Sequence, residues 1–89
     1  MSKLKEYTEH YDNGQLLRKY YTKNDELEGE YSSYHYNGQL FEKCYYKNDE
    51  LEGEYLSYYN NGQLWEKRYY KNGIQVEYDP ISEAMMGLL

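Results

Sequence analysis

The stretch GEYSSYHYNGQLFEKCYYKNDELEG, residues 29–53, decides the fold. Its tetrapeptide Asn37–Leu40 recurs as Asn13–Leu16 and as Asn61–Leu64, 24 residues away on either side. The flanks recur as well. Glu6-Tyr7, Glu30-Tyr31 and Glu54-Tyr55 precede the three copies, and Lys19, Lys43 and Lys67 follow them. A fixed period of this length marks an array in which no unit buries its own apolar surface and each leans on its neighbours. Repetition of the same groups three times favours an interaction surface over a catalytic site, which needs unlike residues converging on one spot.

Asn-Gly between tyrosine-rich runs is a hairpin signal, because both central residues of a type I′ turn need φ > 0. Asn13-Gly14, Asn37-Gly38, Asn61-Gly62 and Asn72-Gly73 fit it. The segments 24–29 and 48–53 read as wider turns, with Gly29 and Gly53 as bulge positions. The expectation is an all-β chain: a single-layer antiparallel meander of about seven strands. Two-residue turns would set Tyr36 opposite Gln39, then His35 with Leu40, Tyr34 with Phe41, Ser33 with Glu42 and Tyr31 with Cys44. If the wide turns keep parity, one face carries the row Tyr7, Tyr20, Tyr31, Cys44, Tyr55, Arg68 and, beside it, Tyr11, His35 and Tyr59. Both faces are then aromatic and neither is plainly polar. Residues 80–88 read as a short capping helix, with Asp79 as N-cap and Pro80 at the first position. One domain spans 1–89, with repeats at about 5–28, 29–52 and 53–78.

Composition bounds the function. Fifteen tyrosines stand against one phenylalanine and one tryptophan. A tyrosine packs with its ring and stays wet at its tip, which suits a sheet with two exposed faces. The net charge of −6 repels nucleic acid and anionic membranes and is compatible with a basic protein partner. The lone Cys44 and an N-terminus without an apolar signal segment point to a reducing, cytoplasmic setting.

No residue set points to chemistry. His10, His35 and Cys44 have no zinc spacing. The acidic runs Asp25, Glu26, Glu28, Glu30 and Asp49, Glu50, Glu52, Glu54 lack calcium-loop spacing and read as solvated turns. No catalytic residue, cofactor or metal is expected. The tyrosines Tyr7, Tyr11, Tyr20, Tyr31, Tyr55 and Tyr59 are the candidate partner-binding residues, since rigid amphipathic rings make contact at low entropy cost. The first strand, near Leu4–Tyr11, is an open edge, so a monomer or a weak dimer is expected.

The pattern Gly-Glu-Tyr-x-x-Tyr-x-x-Asn-Gly-Gln-Leu-x-x-Lys-x-Tyr-Tyr-Lys-Asn-x-x-Leu-x-Gly over residues 29–53 resembles the bacterial variant of the MORN repeat, and three copies cover nearly the whole chain. The first copy has Lys5 and the third has Val76 where glycine is expected. The resemblance implies stacked β-hairpins and a non-catalytic binding role, often as antitoxin or immunity proteins of bacterial toxin loci. Its alternative is a scaffold at a membrane or lipid surface. The lipid-kinase label attached to some MORN proteins does not transfer, because no phosphate-binding loop is present.

Overall fold

The structure is a computed structural model, and it describes residues 3–77. The strands are β1 (Lys5–His10), β2 (Leu16–Lys23), β3 (Glu26–Leu27), β4 (Gly29–Tyr34), β5 (Leu40–Lys47), β6 (Glu50–Leu51), β7 (Gly53–Tyr58), β8 (Leu64–Lys71) and β9 (Ile74–Val76). All pairings are antiparallel. The seven strands β1-β2-β4-β5-β7-β8-β9 run in order across one sheet, and the two-residue strands β3 and β6 pair beside β2 and β5. The all-β meander expected from the repeats is what forms. The proposed helix at 80–88 lies outside the described residues.

The turns are distributed differently from the sequence reading. The Asn-Gly pairs at 13, 37 and 61 are not two-residue turns. His35 N donates to Gln39 O at 2.8 Å and Gly38 N to His35 O at 2.9 Å, closing a three-residue loop. Only its last residue, Gly38, is left-handed, at φ +90°. The reason lies in Asn37, whose Oδ1 accepts the Gln39 N–H at 2.9 Å and holds an Asx turn. A type I turn followed by a left-handed glycine is the common three-residue hairpin loop. Tyr34 therefore pairs with Leu40, not Phe41, and Phe41 becomes a bulge before Ser33 pairs with Glu42. The same step makes bulges of Leu17 and Trp65. The loop is one residue longer than expected and the bulge takes that residue back. From Ser33 outward the register is the one read from the sequence.

The tight turns lie instead at Asn24-Asp25 and Asn48-Asp49, where both residues have positive φ, together with Asn72-Gly73 as expected. Asp49 tolerates φ +68° because its surroundings hold it. Its Oδ1 accepts Leu27 N at 2.5 Å, and its own N donates to Leu27 O at 3.0 Å. The next turn repeats the backbone bond with a glycine, Gly73 N to Leu51 O at 2.9 Å.

Gly29 then lets the chain cross from β3 to β4. Glu28 N bonds Tyr21 O, and Ser32 pairs with Lys19, so Gly29, Glu30 and Tyr31 all face Tyr20. Two residues are inserted, which keeps side-chain parity. Gly29 sits at φ +92°, a conformation a side chain resists. Gly53 does the same at +84°.

The repeats are joined by side-chain clamps as well as strands. Tyr11 donates its hydroxyl to Tyr34 O at 2.7 Å, and His35 Nε2 donates to Tyr58 O at 2.8 Å. Asn13 Nδ2 reaches Tyr36 O at 3.2 Å, and Asn37 Nδ2 reaches Asn60 O at 2.8 Å. The acidic turns are clamps too: Glu28 accepts from Asn48 N and Glu52 from Asn72 N. Asn37 serves both its own loop and the next one, whereas among the described residues Asn61 makes only the bond to Gln63 N. Asn37→Ala is expected to lower stability by about 1–2 kcal/mol and Asn61→Ala by roughly half that, at about 1 kcal/mol per hydrogen bond. Urea unfolding of the two variants checks the ratio.

Candidate functional site: a tyrosine face

Alternation along each strand sorts the side chains into two faces. Among the described residues the only buried apolar side chain is Cys44, at 2% exposure, so there is no two-layer core. One face mixes charged and aromatic side chains, in keeping with the expectation that neither would be plainly polar. It carries the cross-strand row Thr8, Lys19, Ser32, Lys43, Leu56, Lys67. Beside that row lie Glu30 with Tyr45 and Glu54 with Tyr69. Lys67 pairs with Glu54 at 3.3 Å and lies 5.7 Å from the Tyr69 ring centre.

The other face carries the stacked tyrosines. Tyr7 on β1 stacks on Tyr20 on β2 with ring centroids 5.3 Å apart, and Tyr20 stacks on Tyr31 on β4 at 5.9 Å. Their rings are nearly parallel, at 12° and 26°. The parity kept by the Gly29 bulge is what brings Tyr31 onto the same face as Tyr20. Register continues the row through Cys44, Tyr55 and Arg68. A neighbouring row supplies Tyr46, edge-on to Tyr31 at 5.8 Å, and Tyr70, edge-on to Tyr55 at 6.3 Å. On the far side runs Glu9, Arg18, Ser33, Glu42, Ser57, Glu66. Its charges are paired: Arg18 with Glu9, Arg68 with Glu66, and Tyr55 donating to Glu42 at 2.5 Å. Arg18 also reaches the Tyr31 hydroxyl at 3.4 Å.

Of the six tyrosines singled out from sequence, Tyr7, Tyr20, Tyr31 and Tyr55 share one row. Tyr7 is 39% exposed, and the other three are half-buried, with one ring face committed to a neighbour. Tyr11 is half-buried and holds the repeat junction with its hydroxyl. Tyr59, its counterpart, is 49% exposed and stacks obliquely on Trp65 at 5.8 Å. The clamp role of Tyr11 and His35 was missed. Its signal was present, as a polar ring at the same repeat position three times.

Chemistry other than contact finds no support on this face. Burial pushes the Cys44 thiol up to about 12, so it is not a nucleophile near neutral pH. Burial, and then the bond to Glu42, raises the pKa of Tyr55. Among the described residues no three His, Cys, Asp or Glu side chains gather in a metal-binding group. Ser33 and Ser57 are buried, at 7% and 2% exposure, and their hydroxyls have no hydrogen-bond partner among the described residues. An unsatisfied buried hydroxyl costs about 1–3 kcal/mol. Ser57→Ala is therefore expected to raise the urea midpoint, by an amount equivalent to about 1 kcal/mol.

Three successive windows, residues 3–24, 27–48 and 51–72, match the family model described as the MORN repeat variant. The chain belongs to the MORN repeat variant family. No curated protein and no solved structure matches it. Each matched window in this MORN repeat chain spans one hairpin with its three-residue loop and ends at a tight Asn-Asp or Asn-Gly turn. MORN repeats are generally binding or scaffold modules, and a face built of paired charges and stacked rings is consistent with that.

Proposed function

We propose that this chain is a non-catalytic protein-binding module and that its partner is a basic protein, of the kind an antitoxin or immunity protein neutralises. The observation that carries the reading is the Tyr7–Tyr20–Tyr31 stack, at 5.3 and 5.9 Å on a face that no second layer covers among the described residues. Stacked rings enter a complex with little conformational entropy left to lose. The net charge of −6 would speed encounter with a cationic partner and make it salt-sensitive. The alternative of a lipid-surface scaffold has the same charge against it.

Co-expression with the product of a neighbouring toxin gene tests the proposal. Relief of growth arrest by the native chain, weakened by Tyr7→Ala, is the expected result. Toxicity unchanged by the native chain counts against an immunity role. Tight binding to anionic vesicles at physiological salt would favour the lipid alternative.

A further inference from the structure

Among the described residues β1 pairs with β2 alone, whereas β4 and β7, at the same place in the later repeats, each pair on both sides. Tyr11 N points into its hairpin, donating to Gln15 O at 2.8 Å. Backbone groups alternate sides along a strand, so Tyr7 and Glu9 bond toward β2, while Glu6 and Thr8 turn their N–H and C=O outward. Burial follows the pairing. Thr8 is exposed, and Ser32 at the same place on β4 is buried between its two neighbouring strands. The tyrosine stack stops at this edge too. Tyr20 has a ring on either side, Tyr7 at 5.3 Å and Tyr31 at 5.9 Å. Tyr7 has Tyr20 on one side and, among the described residues, no ring on the other.

The strand is complementary to itself. A two-fold axis perpendicular to the sheet keeps the tyrosine faces of two copies on one side and runs their β1 strands antiparallel. Such an axis passes where a residue faces its own symmetry mate. With the axis at Tyr7, the two Tyr7 rings meet, Lys5 of each copy faces Glu9 of the other, and Glu6 faces Thr8. Glu6 and Thr8 then exchange their outward main-chain groups with the mate, and the Tyr7 pair is of the non-hydrogen-bonded kind, with the closest side chains. Arg18 already pairs with Glu9 from the β2 side, so that carboxylate ends between two cations. The charges fit this register, and the rings and main-chain bonds hold it. Other axes fit worse. At Glu6 or Glu9 they set two carboxylates face to face. At Thr8 the axis sets Tyr7 against Glu9, and the stack ends there. A strongly basic or strongly acidic strand from another protein opposes part of an edge that shows Lys5 beside Glu6 and Glu9.

We infer that the outer edge of β1 is a two-fold interface for a second copy of this chain, centred on Tyr7, which joins the two Tyr7–Tyr20–Tyr31 stacks into one. The dimer forms from the chain alone and stands independently of the binding partner proposed above. Its consequence for that partner is a tyrosine face doubled about the axis.

The test uses the full chain at physiological salt, where repulsion between two copies of net charge −6 is screened beyond about 8 Å. Sedimentation over a concentration series should show a monomer–dimer equilibrium. Tyr7→Ala should weaken the dimer about 10-fold or more, as expected for a central interface aromatic. Tyr59→Ala, equally open but remote from β1, should leave it unchanged. Both variants are first shown to keep the native circular dichroism. The register is read separately, by mixing Lys5→Cys and Glu9→Cys chains under oxidised glutathione. Facing residues of a non-hydrogen-bonded pair lie about 4.5 Å apart at Cα, within disulfide reach, while residues of like number at these two positions lie about 14 Å apart. The mixture should yield a linked dimer with one chain of each kind, and neither variant alone should link. Cys44, at 2% exposure, does not compete. A chain that stays monomeric up to about 1 mM overturns the inference, as does linkage within either variant alone that matches the mixture. A dimer weakened by Tyr59→Ala and not by Tyr7→Ala places the contact elsewhere and overturns it. A dimer that forms only after residues 78–89 are removed makes that segment the occupant, and growth beyond the dimer shows a contact that does not close; either result overturns it too.

Discussion

Tyr31→Ala is expected to lower the stability of the chain by about 2–4 kcal/mol, the most damaging single truncation on the tyrosine face. Tyr31 stacks on Tyr20 at 5.9 Å, meets Tyr46 edge-on at 5.8 Å and receives Arg18 at 3.4 Å. Its strand lies in the middle of the sheet, so the loss uncouples the first repeat from the second. A domain of this size holds roughly 5 kcal/mol at the low end of the usual range, so most of the variant would be unfolded or close to it. Tyr31→Phe keeps both ring contacts and gives up one long hydrogen bond, so it should change stability by less than about 0.5 kcal/mol. Tyr7→Ala, at the sheet edge with one ring partner, should fall between the two. Chemical unfolding of the three variants decides the order. Equal losses for Tyr7 and Tyr31 would mean that the stack does not transmit stability between repeats.

The second large effect is alkaline unfolding. Burial pushes the Cys44 thiol from 9.0 up to about 12, and burial also raises Tyr46 and Tyr55. A group whose folded pKa lies above its unfolded value stabilises the fold while it remains protonated. For Cys44 the contribution is complete below pH 9.0 and is lost as pH rises through about 12. The gap between those two values corresponds to roughly 4 kcal/mol, comparable with the whole stability of a domain this small. The native chain should therefore unfold cooperatively between those limits. Cys44→Ala removes the contribution that is lost first as pH rises and should shift the midpoint of alkaline unfolding upward, even if it lowers stability slightly at pH 7. A midpoint unmoved by Cys44→Ala would assign the transition to the tyrosines alone.

The strands and the face assignment of the central rows were legible because alternation has a period of two, and because both irregularities per repeat conserve it. The three-residue loop and the Phe41 bulge cancel, and the Gly29 crossing inserts two residues. That is why Tyr7, Tyr20 and Tyr31 could be aligned without knowing either. The turn types were not legible from dipeptide preference. Asn-Gly suits a type I′ turn in isolation, but Asn37 finds a better partner in the Gln39 N–H and leaves the left-handed role to Gly38 alone. Asn48-Asp49 looks a poor type I′ turn until Leu27, 22 residues upstream, bonds both its backbone and its side chain. Local sequence carries no trace of that contact. The same holds for Glu28 and Glu52, which read as solvated charges and serve as acceptors for the next turn. The candidate site was visible as composition, fifteen tyrosines in a short chain, and its geometry needed the register.

The most direct test of the proposed binding face is titration calorimetry of the full chain against the partner captured by co-expression. Two paired sets of exposed variants are compared, each first shown to keep the native circular dichroism. Tyr7→Ala combined with Tyr59→Ala removes rings from the tyrosine face, where these residues are 39% and 49% exposed. Lys43→Ser combined with Lys67→Ser alters the opposite face at positions of the row that already contains Ser32. A loss of affinity of about 10- to 100-fold is expected for the tyrosine pair, in line with roughly 1–3 kcal/mol for truncated interface aromatics, with little change for the lysine pair. Unchanged affinity on removing the tyrosines, with binding abolished by the lysine changes, would contradict the assignment and place the partner on the lysine-bearing face.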